Sequence, residues 1–335
     1  MKKRILTLLL VGVLAFSLVG CGKQMTLNLA YGDRTGTYSG DMNEAGLPNG
    51  QGKFTTTNSD GEEWTYAGEF KNGHFEGEGK TTWKSGQVEI GTYKDDVIVP
   101  MKDSEIKSLY TTPENFKNHC VEIIGKVFDA PEYTDDGVAL QMFADYENSE
   151  NNTIVYIDDK DFEVKEGDYV KVIGIVGEPF EGENAFGGAV NAPTIAAREY
   201  SVISYQEAVV PTTKTIDVNQ TQTQLGYSIT VQKVEYAKTE TRVYVKVDNQ
   251  GSDKFSVYSF DTKLSQNGNQ YEEQDNWDAD YPDIQTDLLV GNSTEGIIAF
   301  PRVDEGAFTL IFEGHSQNWK EDLKPYTFSI EGEEV

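Results

Sequence analysis

The chain has 335 residues, with 56 Asp and Glu against 28 Lys and Arg and a formal charge of −28. So acidic a surface repels phosphate backbones, which excludes nucleic acid as an expected partner and leaves Ca²⁺ or a basic partner open. Two cysteines give no disulfide framework, and the length exceeds what one core usually holds, so two or three domains are expected.

The first element is a leader. A basic head, MKKR, precedes the uncharged run ILTLLLVGVLAFSLVG at residues 5–20. That run is shorter than the ~20 apolar residues a spanning helix needs, and its flanks are those of a secretory signal peptide. It ends in Leu18-Val19-Gly20-Cys21, which resembles the lipobox of bacterial lipoproteins. The resemblance implies cleavage before Cys21 and acylation there by diacylglycerol and palmitate-type chains. It also implies a place on the outer face of the cytoplasmic membrane of a Gram-positive cell. An uncleaved anchor helix with an incidental cysteine is the alternative. Cys120, in HCVEIIGKV, then has no partner and is expected to be a small buried hydrophobe.

Residues 31–98 carry a small repeat. From Tyr66, YAGEFKNGHFEGEGK places glycines at 68, 73, 77 and 79; from Tyr38 the same order recurs at 40, 46, 50 and 52. A degraded third copy starts near Glu89, with Gly91, Tyr93 and then Asp96 where a glycine would stand. Repeats of this length are hairpins that bury a face only against their neighbours. The pattern resembles the MORN repeat, which implies an elongated hairpin sheet used for scaffolding, with membrane or protein contact. Tyr66, Phe70, Phe75, Trp83 and Tyr93 either fill the thin layer of that sheet or form an exposed stripe that docks a partner.

Residues 99–205 read as a barrel. Asp103 is a candidate cap for a short helix over 104–110, and Pro113 begins a second turn. Five strands follow: CVEIIGKVFDA, VALQMFADY, NTIVYID, DYVKVIGIV and PTIAAREYSVI. That rhythm suits a small closed barrel. The wording resembles an OB-type domain of exported Gram-positive lipoproteins. The resemblance implies a face or rim loop carrying Tyr133, Gln141, Phe143, Tyr146 and Phe186. Asp135, Asp136, Asp145 and Glu147 nearby argue against a nucleic-acid groove.

Residues 206–224 are polar and read as a linker. Residues 225–335 hold about seven short strands. Along TRVYVKVDN, Val243, Val245 and Val247 alternate with Arg242, Tyr244, Lys246 and Asp248, valines inward and the polar set toward solvent. The segment order resembles an Ig-like domain of Gram-positive surface lipoproteins, which implies a β-sandwich and no chemistry. Asp278, Asp280 and Asp283, in an acidic run at 271–287, are weak calcium candidates without the EF-hand spacing.

His74, His119 and His315 fall in three different proposed domains, so no zinc cluster is suggested. No GxSxG elbow, P-loop or dinucleotide fingerprint appears, and no cofactor is expected. The expectation is an all-β, multidomain, non-enzymatic lipoprotein: a MORN-like sheet, an OB-like barrel and an Ig-like sandwich. It would be held to the membrane by its lipid and would contact cell-wall polymer or an envelope protein. An accessory subunit that captures substrate for a transporter is the alternative, and an envelope hydrolase is a third reading.

Overall fold

The structure is a computed structural model and describes residues 22–183, 187–274 and 278–332. Residues 1–21, where the leader and Cys21 are expected, and Phe186 lie outside the described residues. The chain divides into two units, Met1–Ser201 and Val202–Val335. Among the described residues no helix is long and apolar enough to cross a membrane.

The first unit opens with seven strands in chain order: β1 Lys23–Leu29, β2 Gly32–Met42, β3 Pro48–Thr57, β4 Glu63–Lys71, β5 His74–Trp83, β6 Val88–Lys94 and β7 Val97–Ile98. Each pairs antiparallel with the next, so a single sheet forms from hairpins alone. The turns Asn72-Gly73 and Asp95-Asp96 are left-handed, as tight hairpins demand. The repeat spacing has one structural product. Gly40, Gly52, Gly68, Gly79 and Gly91 face one another in an unbroken row across β2 to β6. A Cβ on Gly79 would lie 2.5 Å from the Tyr66 ring, so the glycine makes room for the tyrosine. The Tyr66 hydroxyl donates to the Glu69 carbonyl at 2.9 Å, and Tyr38 repeats the geometry on Asp41 at 2.6 Å. Asp96 ties the two ends of the sheet. Its carboxylate accepts from the Ala30 and Phe75 amides at 2.8 and 2.7 Å, which rolls the sheet over its aromatic layer.

A short helix, α1 Asp103–Leu109, and a 3-10 turn, Pro113–Phe116, lead into the barrel. The helix starts one residue earlier than expected. Lys102 is the cap residue, and its amide donates to the Glu105 carboxylate at 3.3 Å, so Asp103 sits in the first turn. The following strands are β8 Cys120–Val127, β9 Glu132–Tyr133, β10 Val138–Asp145, β11 Glu150–Ile157, β12 Tyr169–Val176, β13 Phe180–Glu183, β14 Ala189–Ala192 and β15 Thr194–Ile203. Five of them close a ring, β8–β10–β11–β15–β12, and β15 runs parallel to β11. Val121, Leu140, Val155, Val172 and Ile195 fill the interior, and Leu109 packs against them. β13 and β14 pair with each other as a separate two-stranded hairpin. Cys120 is buried, as expected.

The second unit begins with α2 Tyr205–Ala208, then β16 Thr212–Gln224, β17 Tyr227–Ala237, β18 Glu240–Asn249, β19 Phe255–Val257, β20 Lys263–Gln266, β21 Asn269–Tyr271, β22 Ser293–Pro301, β23 Phe308–Phe312, β24 Gly314–Ser316 and β25 Tyr326–Ile330. Sheets β16–β17–β18–β22 and β21–β20–β23–β25 share one core, in which Val243, Val245 and Val247 meet Leu310, Phe312 and Phe328. The linker reading is corrected here, because residues 212–224 are an edge strand paired along β17. Its glutamines close a seam with the other sheet. Gln220 and Gln224 donate to the carbonyls of Ser329 and Lys324 at 3.2 and 2.8 Å, and Gln222 donates to Thr327. A second correction concerns Arg242, which is fully buried rather than solvent-facing. The chain at Val210–Thr212 and the Tyr281 side chain cover that face of β18.

Candidate functional site

The aromatics of the repeat are spent on the interior. Tyr66, Phe70, Phe75 and Tyr93 are buried and Trp83 is half-buried against them. Tyr66 stacks on Phe75 at 3.9 Å, and Phe70 and Tyr93 meet the Tyr66 ring edge-on at 5.1 and 4.9 Å. Desolvation pushes the Tyr66 hydroxyl far above its ordinary pKa and that of Tyr93 up to about 12. The exposed stripe is therefore corrected to a core layer, because a sheet with this little covering material needs every ring to exclude water.

The opposite face is polar and open. There the strand register lines up two rows. One is a threonine ladder, Thr37, Thr55, Thr65 and Thr82, with Thr55 and Thr65 hydroxyls 2.9 Å apart. The other runs Ser39, Lys53, Ala67, Lys80 and Ile90. Two inter-strand spacings put Lys53 and Lys80 about 10 Å apart. Thr65 and Thr82 of the first row and the whole second row line a trough of about 1050 Å³, together with Glu63, Glu78, Trp64, Trp83 and the backbone of Gly52, Gly68 and Gly79. Its hydroxyls, ammoniums and carboxylates can donate and accept along an extended polar chain. No histidine or cysteine lines it, so none is at hand there as a general base or thiol nucleophile. The sequence reading missed these rows, since single threonines and lysines carry no signal until register stacks them.

A smaller cavity, of about 320 Å³, lies where the repeat runs out. Tyr31, Trp64, Trp83 and Tyr93 line it together with Asp96, Glu89 and Arg198. Glu89 stands two residues before Gly91, where Tyr38 and Tyr66 stand before Gly40 and Gly68. It is buried and pairs with Arg198 of β15, while Gln87 donates to it at 3.2 Å. The third repeat thus exchanges its tyrosine for a carboxylate that receives the barrel. The amide of Ile90 bonds to the Asn118 carbonyl at 2.8 Å beside it.

Gln141 and Phe143 lie two apart on β10, and Phe143 stacks on Phe128 at 3.9 Å. Tyr146 meets Tyr169 edge-on at 5.5 Å. Tyr133 is on β9, its hydroxyl donating to the Phe162 carbonyl at 3.1 Å and accepting the Val164 amide at 3.3 Å. Among the described residues no group of three His, Cys, Asp or Glu is placed to hold an ion. On either side of Asp278 and Asp280, the Gln274 amide bonds to the Ala299 carbonyl and the Pro282 carbonyl accepts the Ile297 amide, Ala299 and Ile297 both being on β22.

The densest charge cluster surrounds Arg242. Its guanidinium contacts Glu235 and Glu240 at 3.2 Å each and donates to the Val210 carbonyl at 3.0 Å. Burial works against the Glu235 carboxylate, but hydrogen bonds from Lys233, Tyr244 and Thr212 outweigh it and hold its pKa below the ordinary value. This cluster clips the segment before β16 to the sandwich.

Comparison with known proteins bears on the first unit. Residues 38–61 and 66–88 match the model of the MORN repeat. The match stops one residue before Glu89. No curated protein matches the chain. The crystal structure of a conserved domain protein from Bacillus anthracis aligns over 92% of this chain and 91% of its own, at 8% identity and a TM-score of 0.29, a likeness too low to argue from.

Proposed function

We propose that this protein is a non-catalytic lipoprotein, held at the outer face of the cytoplasmic membrane through Cys21, whose repeat sheet binds an extended polymer of the cell wall. The observation that carries the reading is the trough with its threonine and lysine rows, since a MORN-repeat-like region with a polar open face suits a long hydroxyl- and charge-bearing chain. The leader supports the anchor by its basic head, short apolar core and terminal Cys21. The ring order of the barrel, with one parallel pair, supports an OB-like identity, and the two packed antiparallel sheets support an Ig-like one. Both then act as spacers and supports for the sheet.

The test is retention of residues 22–335 on purified cell walls. Saturable retention that Lys53→Glu with Lys80→Glu abolishes, and that Lys117→Glu leaves intact, supports the trough. Retention indifferent to the double variant sinks it. Acylation is tested separately, by labelling cells with a palmitate analogue and asking whether Cys21→Ser loses the label.

A further inference from the structure

Four loops meet at one end of the sandwich, and three of them carry apolar tips. Leu225 in the β16–β17 turn is 60% exposed, Leu289 and Val290 before β22 are 56% and 52% exposed, and Trp319 before β25 is 86% exposed. Isolated exposed hydrophobics need no explanation, but several gathered at one place mark an interaction site. Hydrogen bonds gather these. The Gln250 amide bonds to the Gly226 carbonyl at 2.8 Å, the Gly291 amide to the Asn249 carbonyl at 2.7 Å, and the Asn318 side chain to the Ser252 hydroxyl at 3.3 Å.

The backbone adds an independent observation. Leu225 holds a left-handed conformation, φ 52°, ahead of Gly226 at φ 90°. Such a turn favours Asn, Asp or Gly at its first position, and a leucine there is both strained and unburied. Folding gains nothing from that choice, which points to a role outside the fold.

The charges indicate the occupant. The acids of these loops are engaged within them. Glu321 accepts from Tyr227, Ser316 and Ser252 at 2.6 to 2.8 Å, Asp322 pairs with Lys324 at 2.6 Å, Asp287 accepts from Gln317 at 3.1 Å, and Asp253 accepts the Lys254 amide at 2.8 Å. Lys320 lies 5.5 Å from the Trp319 ring. On a chain of charge −28, this end shows separate convex apolar tips with a tryptophan and lysines beside them. Tryptophan and lysine together are the side chains that settle at the bilayer interface. We propose that this end of the sandwich inserts Leu225, Leu289, Val290 and Trp319 into the interfacial layer of a phospholipid bilayer.

The proposal does not rest on the acyl anchor, and its test omits it. Residues 22–335, unacylated, are floated with phosphatidylcholine vesicles while tryptophan emission is followed, the Trp319→Ala variant isolating the part due to Trp319. Flotation with a blue shift is expected, and Trp319→Ala or Leu289→Ser should each weaken partition by roughly tenfold. Leu225→Asn separates function from folding, since it should raise the melting temperature while lowering partition. Absence of flotation overturns the proposal, as does flotation that Trp319→Ala and Leu225→Asn together leave unchanged. A dimer in gel filtration that the same variants dissolve, without vesicle binding, would make the tips a protein face and overturns it equally.

Discussion

Replacing Gly79 by alanine tests the physical basis of the repeat. Gly79 has no left-handed φ to lose, so the change is steric alone. The new methyl carbon would lie 2.5 Å from both the Oη and the Cε2 of Tyr66. Tyr66 must turn away, breaking its bond to the Glu69 carbonyl and its stack on Phe75. Overpacking of a filled layer costs about 1–3 kcal/mol and the hydrogen bond about 1 kcal/mol. Alanine returns about 0.5–1 kcal/mol by stiffening the unfolded chain. The net is about 2–3 kcal/mol, or roughly a hundredfold faster exchange at the Phe54 and Tyr66 amides, which report the sheet rather than the whole chain. Hydrogen exchange read by mass spectrometry or NMR measures it. The decisive control is a double-mutant cycle with Tyr66→Leu. If the ring is the obstacle, Gly79→Ala in that background costs under about 1 kcal/mol. An equal cost with and without the ring refutes the reasoning.

Three further outcomes follow from buried groups. Arg242→Met strands the Glu235 and Glu240 carboxylates and should cost the second unit about 3–5 kcal/mol in urea unfolding, part of it regained by adding Glu240→Gln; a loss under 1 kcal/mol would mean the cluster is solvated. Glu235 has its folded pKa depressed, so its stabilisation is present above the ordinary carboxylate value and is lost as pH falls through the lower folded one. Glu235→Gln should flatten that acid limb of stability against pH, and an unchanged limb would assign it to other acids. The Cys120 thiol, pushed up to about 11 chiefly by burial, should react with a disulfide reagent at pH 8 only after unfolding; prompt labelling of the native chain would contradict its burial.

The glycine spacing and the valine alternation were legible because each is a local pattern with one geometric meaning. Tyr-x-Gly recurs because a ring must lie over a bare backbone, and Val243, Val245 and Val247 alternate because β18 has one core face. Residues 212–224 were illegible for the converse reason. Only Ile216 and Val218 give the segment an apolar signal, too short to read as a strand. The rest alternates glutamine with threonine, and the glutamines' partners are carbonyls in and just before β25 that only the folded chain supplies. Arg242 misled because a charged residue in an alternating strand normally marks the wet face, and its cover comes from chain thirty and forty residues away. The trough was invisible on similar grounds. Lys53 and Lys80 become neighbours only through the register of three strands.

The exchange of tyrosine for Glu89 makes the repeat array a ruler with a fixed end. Every copy but the last presents an edge that another copy can extend, and the last presents a buried carboxylate whose charge is paired with Arg198. Duplicating residues 66–88 in tandem would therefore lengthen the sheet by two strands, about 10 Å, and leave both terminal joints as they are. Duplicating a segment that includes Glu89 would instead bury a second carboxylate with no arginine to meet it. Reach, in this architecture, is adjustable by copy number, and the place where growth must stop is written in a single side chain.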